Sequence, residues 1–149
     1  MTLPSTALAQ RGTRRAGLIA VALIALIAAV GCQDASLNSA VKVNETRSSV
    51  GRSTLTLDAR LSGIAQRHAE AMASRTRLYH SSSATRPPSG FRTVGENVGR
   101  GHTSDSVHSA LKSSSGHYRN MVSPSFRAFG VGTAYGSDGR IYVAQLFAG

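Results

Sequence analysis

FGVGTAYGSDGRIYVAQLFAG, residues 129–149, is the stretch that decides the fold. Side chains suited to a strand alternate along residues 129–135 and again along residues 141–147. The four residues between these runs, 136–139, are Gly-Ser-Asp-Gly, a composition typical of turns. Two alternating runs joined by such a turn predict a β-hairpin. We therefore expect a hairpin at the C-terminal end and helices in the middle of the chain.

The clearest helix signal upstream of the hairpin covers residues 58–75. Apolar residues and His68 recur there with the spacing of one helix face, and Asp58 is placed to cap the N-terminus. Because His68 lies on the apolar stripe, we interpret it as a packed core histidine with one ring nitrogen bonded.

Shorter helices are expected at residues 40–46, 104–113 and 116–121. In the second of these, Val107, Ala110 and Leu111 are predicted to face inward, whereas His108 is predicted to face solvent. Pro124 ends the third helix, because proline cannot continue the hydrogen-bond ladder. The middle of the chain is therefore predicted to be helical.

The N-terminal 31 residues are predicted to be a signal peptide. Basic residues up to Arg15 precede an apolar run of fifteen residues, 16–30. This run is short for a transmembrane helix, which needs about 20 apolar residues. The following Ala29-Val30-Gly31-Cys32 resembles a bacterial lipobox, in which the only cysteine would carry a diacylglycerol. We expect lipidation at Cys32 and a short tether over residues 32–39. Cleavage without acylation and an uncleaved helix are the alternatives.

The charge of the chain favours anionic partners outside the cytoplasm. Lys and Arg number 17 against seven Asp and Glu, and three of the basic residues precede the apolar run. An exported domain with this excess meets anionic wall polymers and lipid headgroups. The four Phe and four Tyr are not interleaved with the arginines, and Trp is absent, so we expect no nucleic-acid partner.

Two isolated polar residues raise the question of a site. His80 lies where the long helix gives way to a loop that Pro87, Pro88 and Gly90 keep from being helical. Glu96 stands between glycines in TVGENVGRGH, residues 93–102. This carboxylate belongs either to a solvated turn or to a site assembled with distant histidines.

Six segments, in this order, resemble the CAP superfamily, which includes cysteine-rich secretory proteins, antigen 5 and pathogenesis-related proteins. They are VNETR (43–47), LDARLSGIAQRHAEAMA (57–73), YHS (79–81), GENV (95–98), SSSGHYRNMVSPSFRAFGVG (113–132) and IYVAQLFAG (141–149). The chain is similar to a short bacterial branch without disulfides, and the resemblance covers residues 40–149. It implies an α+β fold, a three-layer α-β-α sandwich with an antiparallel sheet between helices.

The resemblance also implies a cleft with two histidines and a glutamate. Matched by motif, these are His80, Glu96 and His117, with Asn97 and Asn120 as polar residues that brace the surrounding loops. Imidazoles and a carboxylate suit zinc, so His80 and His117, together with Glu96, are a candidate metal site although no cofactor is required. The second glutamate typical of the family is missing, which implies weak metal binding.

Two functions from different classes follow from this cleft. The first is a binding module that holds a small hydrophobic or anionic ligand, such as a lipid or a cell-wall fragment. The second is a metal-dependent hydrolase or peptidase in which Glu96 is the catalytic general base. A purely structural role for the cluster is the remaining alternative. In each case we expect a monomer in the cell envelope, either anchored to the outer leaflet through Cys32 or secreted.

Overall fold

A computed structural model of the protein describes residues 31–149. Residues 32–149 form one compact unit. Apart from Gly31, the predicted signal peptide lies outside the described residues, so its presence stays a prediction. Within residues 31–149, no helix is both long enough and apolar enough to cross a membrane.

The described residues form four α-helices and four β-strands. Helix α1 covers residues 31–48. The remaining elements are β1 (Thr56–Leu57), α2 (Ala59–Ser74), a 3-10 turn (Ser82–Ala84), β2 (Val94–Gly101), α3 (Ser104–Ser113), α4 (Ser115–Val122), β3 (Ala128–Tyr135) and β4 (Ile141–Ala148). The C-terminal hairpin predicted from the alternating pattern is present as β3 and β4.

The sheet has the strand order β1-β3-β4-β2. Strand β4 pairs antiparallel with β3 on one side and with β2 on the other. The three long strands are antiparallel as expected, and the short strand β1 pairs parallel with β3, so the sheet is mixed at this edge. The parallel pair arises because the chain runs from β1 straight into α2, which then packs back across β3.

Helix α2 begins where the sequence predicts it. The Asp58 side chain accepts hydrogen bonds from the backbone N–H groups of Arg60 and Leu61, at 2.8 and 3.0 Å. These bonds satisfy two of the amide groups that a helix start leaves free. The predicted stripe is buried, with Leu61 and Met72 fully inaccessible and His68 at 8% exposure.

Helices cover both faces of the sheet, which confirms the three-layer α-β-α arrangement. Helix α2 lies on one face, and its Leu61, Ala65, Ala69 and Met72 join Leu146 in one core cluster. Helices α1, α3 and α4 cover the other face, where the second core cluster includes Val43, Val107, Leu111, Met121, Phe129, Val131, Val143 and Phe147. Helix α2 therefore faces α1, α3 and α4 across a single sheet.

The predicted tether over residues 32–39 is wrong, because these residues belong to α1. The hydroxyl of Thr133 donates to the carbonyl oxygen of Cys32 at 2.7 Å, and Ser36 contacts the same hydroxyl at 3.0 Å. Ser39 is 1% exposed. Polar residues in this stretch suggested a loop, but their side chains bond to the sheet instead.

The orientation predicted for α3 is also wrong in part. Val107 and Leu111 are buried as expected, but His108 is buried beside them and Ala110 is exposed. The ring of His108 contacts the Thr46 hydroxyl through Nε2 at 3.1 Å. Burial, followed by the charges of Lys42 and Lys112, lowers the pKa of His108. Helix α1 covers the side of α3 that the sequence pattern assigned to solvent.

Candidate functional site

Glu96 lies in the middle of strand β2 rather than in a turn. Strand β2 is the edge strand next to β4, and Glu96 is in register with Leu146. The neighbouring glycines provide space: a Cβ at Gly95 would lie 2.9 Å from the Phe126 ring and 3.0 Å from the Asn120 amide oxygen. Of the two alternatives left open for Glu96, the solvated turn is therefore wrong. Gly95 lets α4 approach the strand that carries the glutamate, and Gly99 lets α3 approach it.

The carboxylate of Glu96 is buried, and both of its oxygens accept hydrogen bonds. His80 Nδ1 lies 2.9 Å from Oε1, and the backbone N–H of Ser81 donates to the same oxygen at 2.9 Å. The Ser81 hydroxyl donates to Oε2 at 2.5 Å. The side chain of Glu96 is 3% exposed. Its acceptor capacity is used to hold the His80-Ser81 segment, which follows α2, against β2.

This arrangement orients the imidazole of His80. A carboxylate only accepts, so the contact with Glu96 places the proton of the neutral imidazole on Nδ1. Nε2 is then the free acceptor, and the side chain is 55% exposed. Ser81, which stands beside His80 in the YHS motif and was not among the predicted site residues, completes the binding of the carboxylate.

A third polar residue from α2 stands next to this pair. His68 Nε2 lies 2.7 Å from the carbonyl oxygen of Tyr79 and 3.9 Å from Glu96 Oε1. The interpretation of His68 as a packed histidine with one bonded nitrogen agrees with this geometry. Its bond to Tyr79 fixes the backbone immediately before His80. No pattern in the sequence indicates that His68 also lies close to Glu96.

Asn97 points to the opposite face of β2 and connects the site to the interior. Its amide nitrogen donates to the carbonyl oxygen of His117 and to Gln145 Oε1, both at 3.1 Å. Asn120 donates to Asn97 Oδ1 at 2.9 Å and to the carbonyl oxygen of Glu96 at 3.3 Å. Gln145 in turn donates to the Ser39 hydroxyl at 3.1 Å. This chain of bonds holds α4, and with it His117, against the edge strand.

His117 lies at the start of α4, on the segment that Asn97 holds. Burial, followed by the charge of nearby His80, lowers the pKa of His117. Within residues 31–149, Nδ1 of His117 is buried without a hydrogen-bond partner. The five residues predicted from the family motifs thus share one connected region, but no direct hydrogen bond joins the His117 ring to Glu96 or His80.

The donor atoms present do not fit a protein-built zinc site. Among the residues that the structure describes, no group of three or more His, Cys, Asp or Glu side chains is arranged to hold a metal ion. His80 Nδ1 and Glu96 are bonded to each other, which leaves Nε2 of His80 and the His117 ring as free donors. Zinc sites in proteins take three or four protein ligands. The zinc site stays a prediction, and the geometry favours another use of the imidazoles.

The fold and the motif residues together define a class of α-β-α sandwich proteins. The profile of the CAP, or cysteine-rich secretory protein, family matches residues 41–147. The chain therefore belongs to the CAP family, as the motif order predicts. No curated protein is similar enough in sequence to be matched.

Solved structures from bacteria and a parasitic worm share this fold. An outer surface protein of Borrelia burgdorferi is 17% identical, with a TM-score of 0.64 over 73% of this chain and 87% of that one. An extracellular protein with an SCP domain from Bacillus anthracis is 21% identical, with a TM-score of 0.65, 78% of this chain and 41% of that one being covered. Venom allergen-like protein 4 of Schistosoma mansoni is 13% identical, with a TM-score of 0.65 over 76% and 87% of the two chains. At these identities the likeness shows the fold alone.

Proposed function

We propose that the protein is an exported CAP-domain protein that binds a small anionic or hydrophobic ligand at the edge of β2, between His80 and His117. The observation that carries this proposal is the state of Glu96. Its carboxylate is buried and bonded to His80 and Ser81, so it presents an oriented, half-exposed imidazole to the outside. An imidazole held in this way is a specific hydrogen-bond partner for a ligand.

The same geometry favours binding over hydrolysis. A general base must reach the proton that it removes, directly or through one water. Glu96 has both oxygens engaged and a side-chain exposure of 3%, so it acts as a positioning residue for His80 rather than as the base. A hydrolase that uses Glu96 on metal-bound water has no support from these contacts or from the related structures.

Export and anchoring are part of the proposal. The basic n-region, the apolar run and Cys32 support a lipoprotein signal, and two of the structurally similar proteins are described as an outer surface protein and an extracellular protein. Because α1 begins at the start of the described residues, an acyl group on Cys32 would hold the domain close to the membrane without a spacer. Mass spectrometry of the mature N-terminus tests this: a mature chain whose Cys32 is unmodified or removed would contradict anchoring.

Native mass spectrometry of the full chain, purified in mild detergent, tests the binding site. We expect a small molecule to remain with the wild type and to be lost from His80→Ala and His117→Ala. His102→Ala is the matched control, because His102 is exposed and makes none of the contacts of the site. A ligand retained equally in all four proteins, or absent from the wild type, would contradict the proposal.

Calorimetric titration of zinc into the same four proteins separates metal binding from ligand binding. Two free imidazoles are fewer than a stable zinc site needs. We therefore expect at most weak zinc binding in the wild type. Tight binding that His80→Ala and His117→Ala both remove would restore the metal site and with it the hydrolase hypothesis.

A further inference from the structure

Two aromatic rings on the α2 side of the molecule are each in cation–π contact with two arginines. The guanidinium carbon of Arg127 lies 4.9 Å from the centroid of the Phe91 ring, and that of Arg60 lies 5.8 Å from it. Arg127 also donates to the carbonyl oxygen of Gly90 at 2.7 Å. We call this group, Arg60, Phe91 and Arg127, the Phe91 stack.

The second group has the same composition at the other end of α2. The guanidinium carbons of Arg75 and Arg77 lie 5.6 and 5.5 Å from the centroid of the Tyr79 ring. Arg75 donates to the Tyr79 hydroxyl at 2.6 Å. We call this group, Arg75, Tyr79 and Arg77, the Tyr79 stack. Ring contacts of this kind fix the direction of a long side chain that would otherwise be mobile.

Both stacks lie along one flank of the domain. Tyr79 and Phe91 pack against the same core cluster, the one beneath α2. Arg60 and Arg75 mark the two ends of this helix, and their separation of fifteen positions corresponds to about 22 Å of helix. His80 follows Tyr79 directly, so the candidate ligand site borders the Tyr79 stack on the same flank.

The charges of this flank are mostly uncompensated. No acidic residue occurs from residue 71 to residue 95, a segment that holds Arg75 and Arg77 of the Tyr79 stack together with Arg86 and Arg92. All four arginines of the stacks are exposed. Within residues 31–149, only Arg60 among them has a carboxylate within 4.0 Å, that of Asp58 at 3.7 Å. Their remaining N–H groups are directed by the rings and free to bind an external anion.

We propose that the two stacks bind an extended chain that carries repeated phosphate groups, as a phosphodiester-linked envelope polymer does. Guanidinium groups bind phosphate through two parallel N–H donors. Two such groups separated by the length of α2 suit a long polyanion, since a single small anion reaches only one of them. Each ring already carries two guanidinium groups, which leaves little ring surface for the base stacking of a nucleic acid.

The proposal deepens the proposed function and rests on it for the place of the ligand, because a chain leaving the Tyr79 stack passes His80. It names the class of ligand as a polymer of repeated phosphates. The sequence analysis predicted an anionic wall fragment as a ligand, but it predicted neither the two stacks nor the distance between them. Length of the ligand therefore becomes the property to test.

Binding of inorganic polyphosphate to the full chain in neutral detergent tests this proposal. Long-chain polyphosphate and tripolyphosphate are compared at the same total phosphate concentration. Because the long chain can engage both stacks at once, we expect it to bind on the order of 100-fold more tightly. The advantage should fall steeply with added salt, as phosphate contacts do.

Paired neutral substitutions locate the effect. Arg75→Gln with Arg77→Gln, and separately Arg60→Gln with Arg127→Gln, should each reduce long-chain binding to the level of tripolyphosphate. Arg52→Gln with Arg119→Gln is the matched control, since both residues are exposed and lie outside the stacks. Equal loss in this control would overturn the proposal in favour of a general effect of charge.

Two further outcomes decide between explanations. A single-stranded oligonucleotide that binds more tightly than polyphosphate through the same four arginines would overturn the assignment to an envelope polymer. The native mass spectrometry above is independent of the stacks: if His80→Ala and His117→Ala still lose a ligand while polyphosphate shows no preference for length, only the inference about the stacks fails.

Discussion

The two faces of the sheet differ in how closely the helices approach strand β3. On the α2 face, β3 presents Gly130 and Gly132, and a Cβ at these positions would lie 2.1 to 2.3 Å from backbone atoms of α2. On the opposite face the same strand presents Phe129 and Val131, which interlock with side chains from α1, α3 and α4. At these two glycines the α2 face is a contact between backbones, whereas the opposite face is a contact between side chains.

This difference shows what each face tolerates. At Gly130 and Gly132 the α2 face has no room for an added side chain, because the helix backbone cannot move aside as a flexible side chain can. The packing of the opposite face is stabilised by large buried side chains, so removing side-chain atoms there lowers the free energy of unfolding. Both faces also bear on the site, because Glu96 points to the α2 side of β2 and Asn97 points to the other.

The largest effect is expected from adding volume to the α2 face. Gly132→Val places a branched side chain where the backbone of residues 65 and 66 lies within 2.2 to 2.3 Å of the new Cβ. We expect a loss of about 5 kcal/mol or more, or failure to fold. Gly116→Ala is the control, since a Cβ there meets nothing within 4 Å. Urea unfolding of both variants measures the difference, and similar stabilities would refute backbone contact on this face.

Removing volume from the opposite face is expected to have the next largest effect. Phe129 is fully buried and stacks on Phe147, with ring centroids 6.2 Å apart. Phe129→Ala should lower the free energy of unfolding by about 3 to 5 kcal/mol, as for other buried aromatic residues. Chemical denaturation gives the value. A loss below about 1 kcal/mol would mean that this face does not depend on side-chain volume.

A smaller effect is expected from the buried polar chain that crosses the second face. Gln145→Leu keeps the volume but removes one hydrogen bond from the Asn97 amide and one from the Ser39 hydroxyl. Unpaired buried polar groups cost about 1 to 3 kcal/mol each. Because Asn97 holds the His117 carbonyl, we also expect an altered NMR titration of the His117 ring. Gln145→Glu, which retains the acceptor for Asn97, is the comparison; equal His117 titrations in both variants and the wild type would exclude this link.

The smallest effect is expected for pH, at the contact between α1 and α3. Burial lowers the pKa of His108 in the folded protein. As pH falls below the ordinary histidine pKa of about 6.5, the unfolded chain takes up the proton first, so stability is full above this pH and is lost below it. His117 acts in the same direction. We expect His108→Gln to flatten part of this dependence in thermal unfolding between pH 7 and pH 5, whereas His102→Ala should not.

Most of the secondary structure could be predicted because it depends on local patterns. The hairpin follows from alternation around a Gly/Asp turn, and α2 follows from its apolar stripe and from Asp58 as its cap. The start of α1 could not be predicted in this way. Its polar residues Ser36 and Ser39 bond to Thr133 and Gln145, which are about a hundred positions away in the chain.

The site was predicted in its membership but not in its chemistry. The family motifs predict His80, Glu96 and His117 as one site; the structure shows His80 bonded to Glu96 and the His117 backbone held by Asn97, and the use of the three residues as a ligand site stays a prediction. A motif does not reveal which atoms are already bonded, so the engagement of Glu96 by Ser81 was missed. Nor does a motif reveal that Gly95 in strand β2 makes room for α4 and Gly99 makes room for α3.

The sequence by itself determined the C-terminal hairpin, the position of α2, the excess of arginine and the family, because each follows from local patterns or motifs along the chain. Only the tertiary structure decided which side chains are satisfied and which are free. Contacts between distant segments decide three features: the hydrogen bonds to both oxygens of Glu96, the burial of His108 and the two arginine stacks on one flank. Such contacts are set by packing across the sheet, which leaves no periodic signal in the sequence.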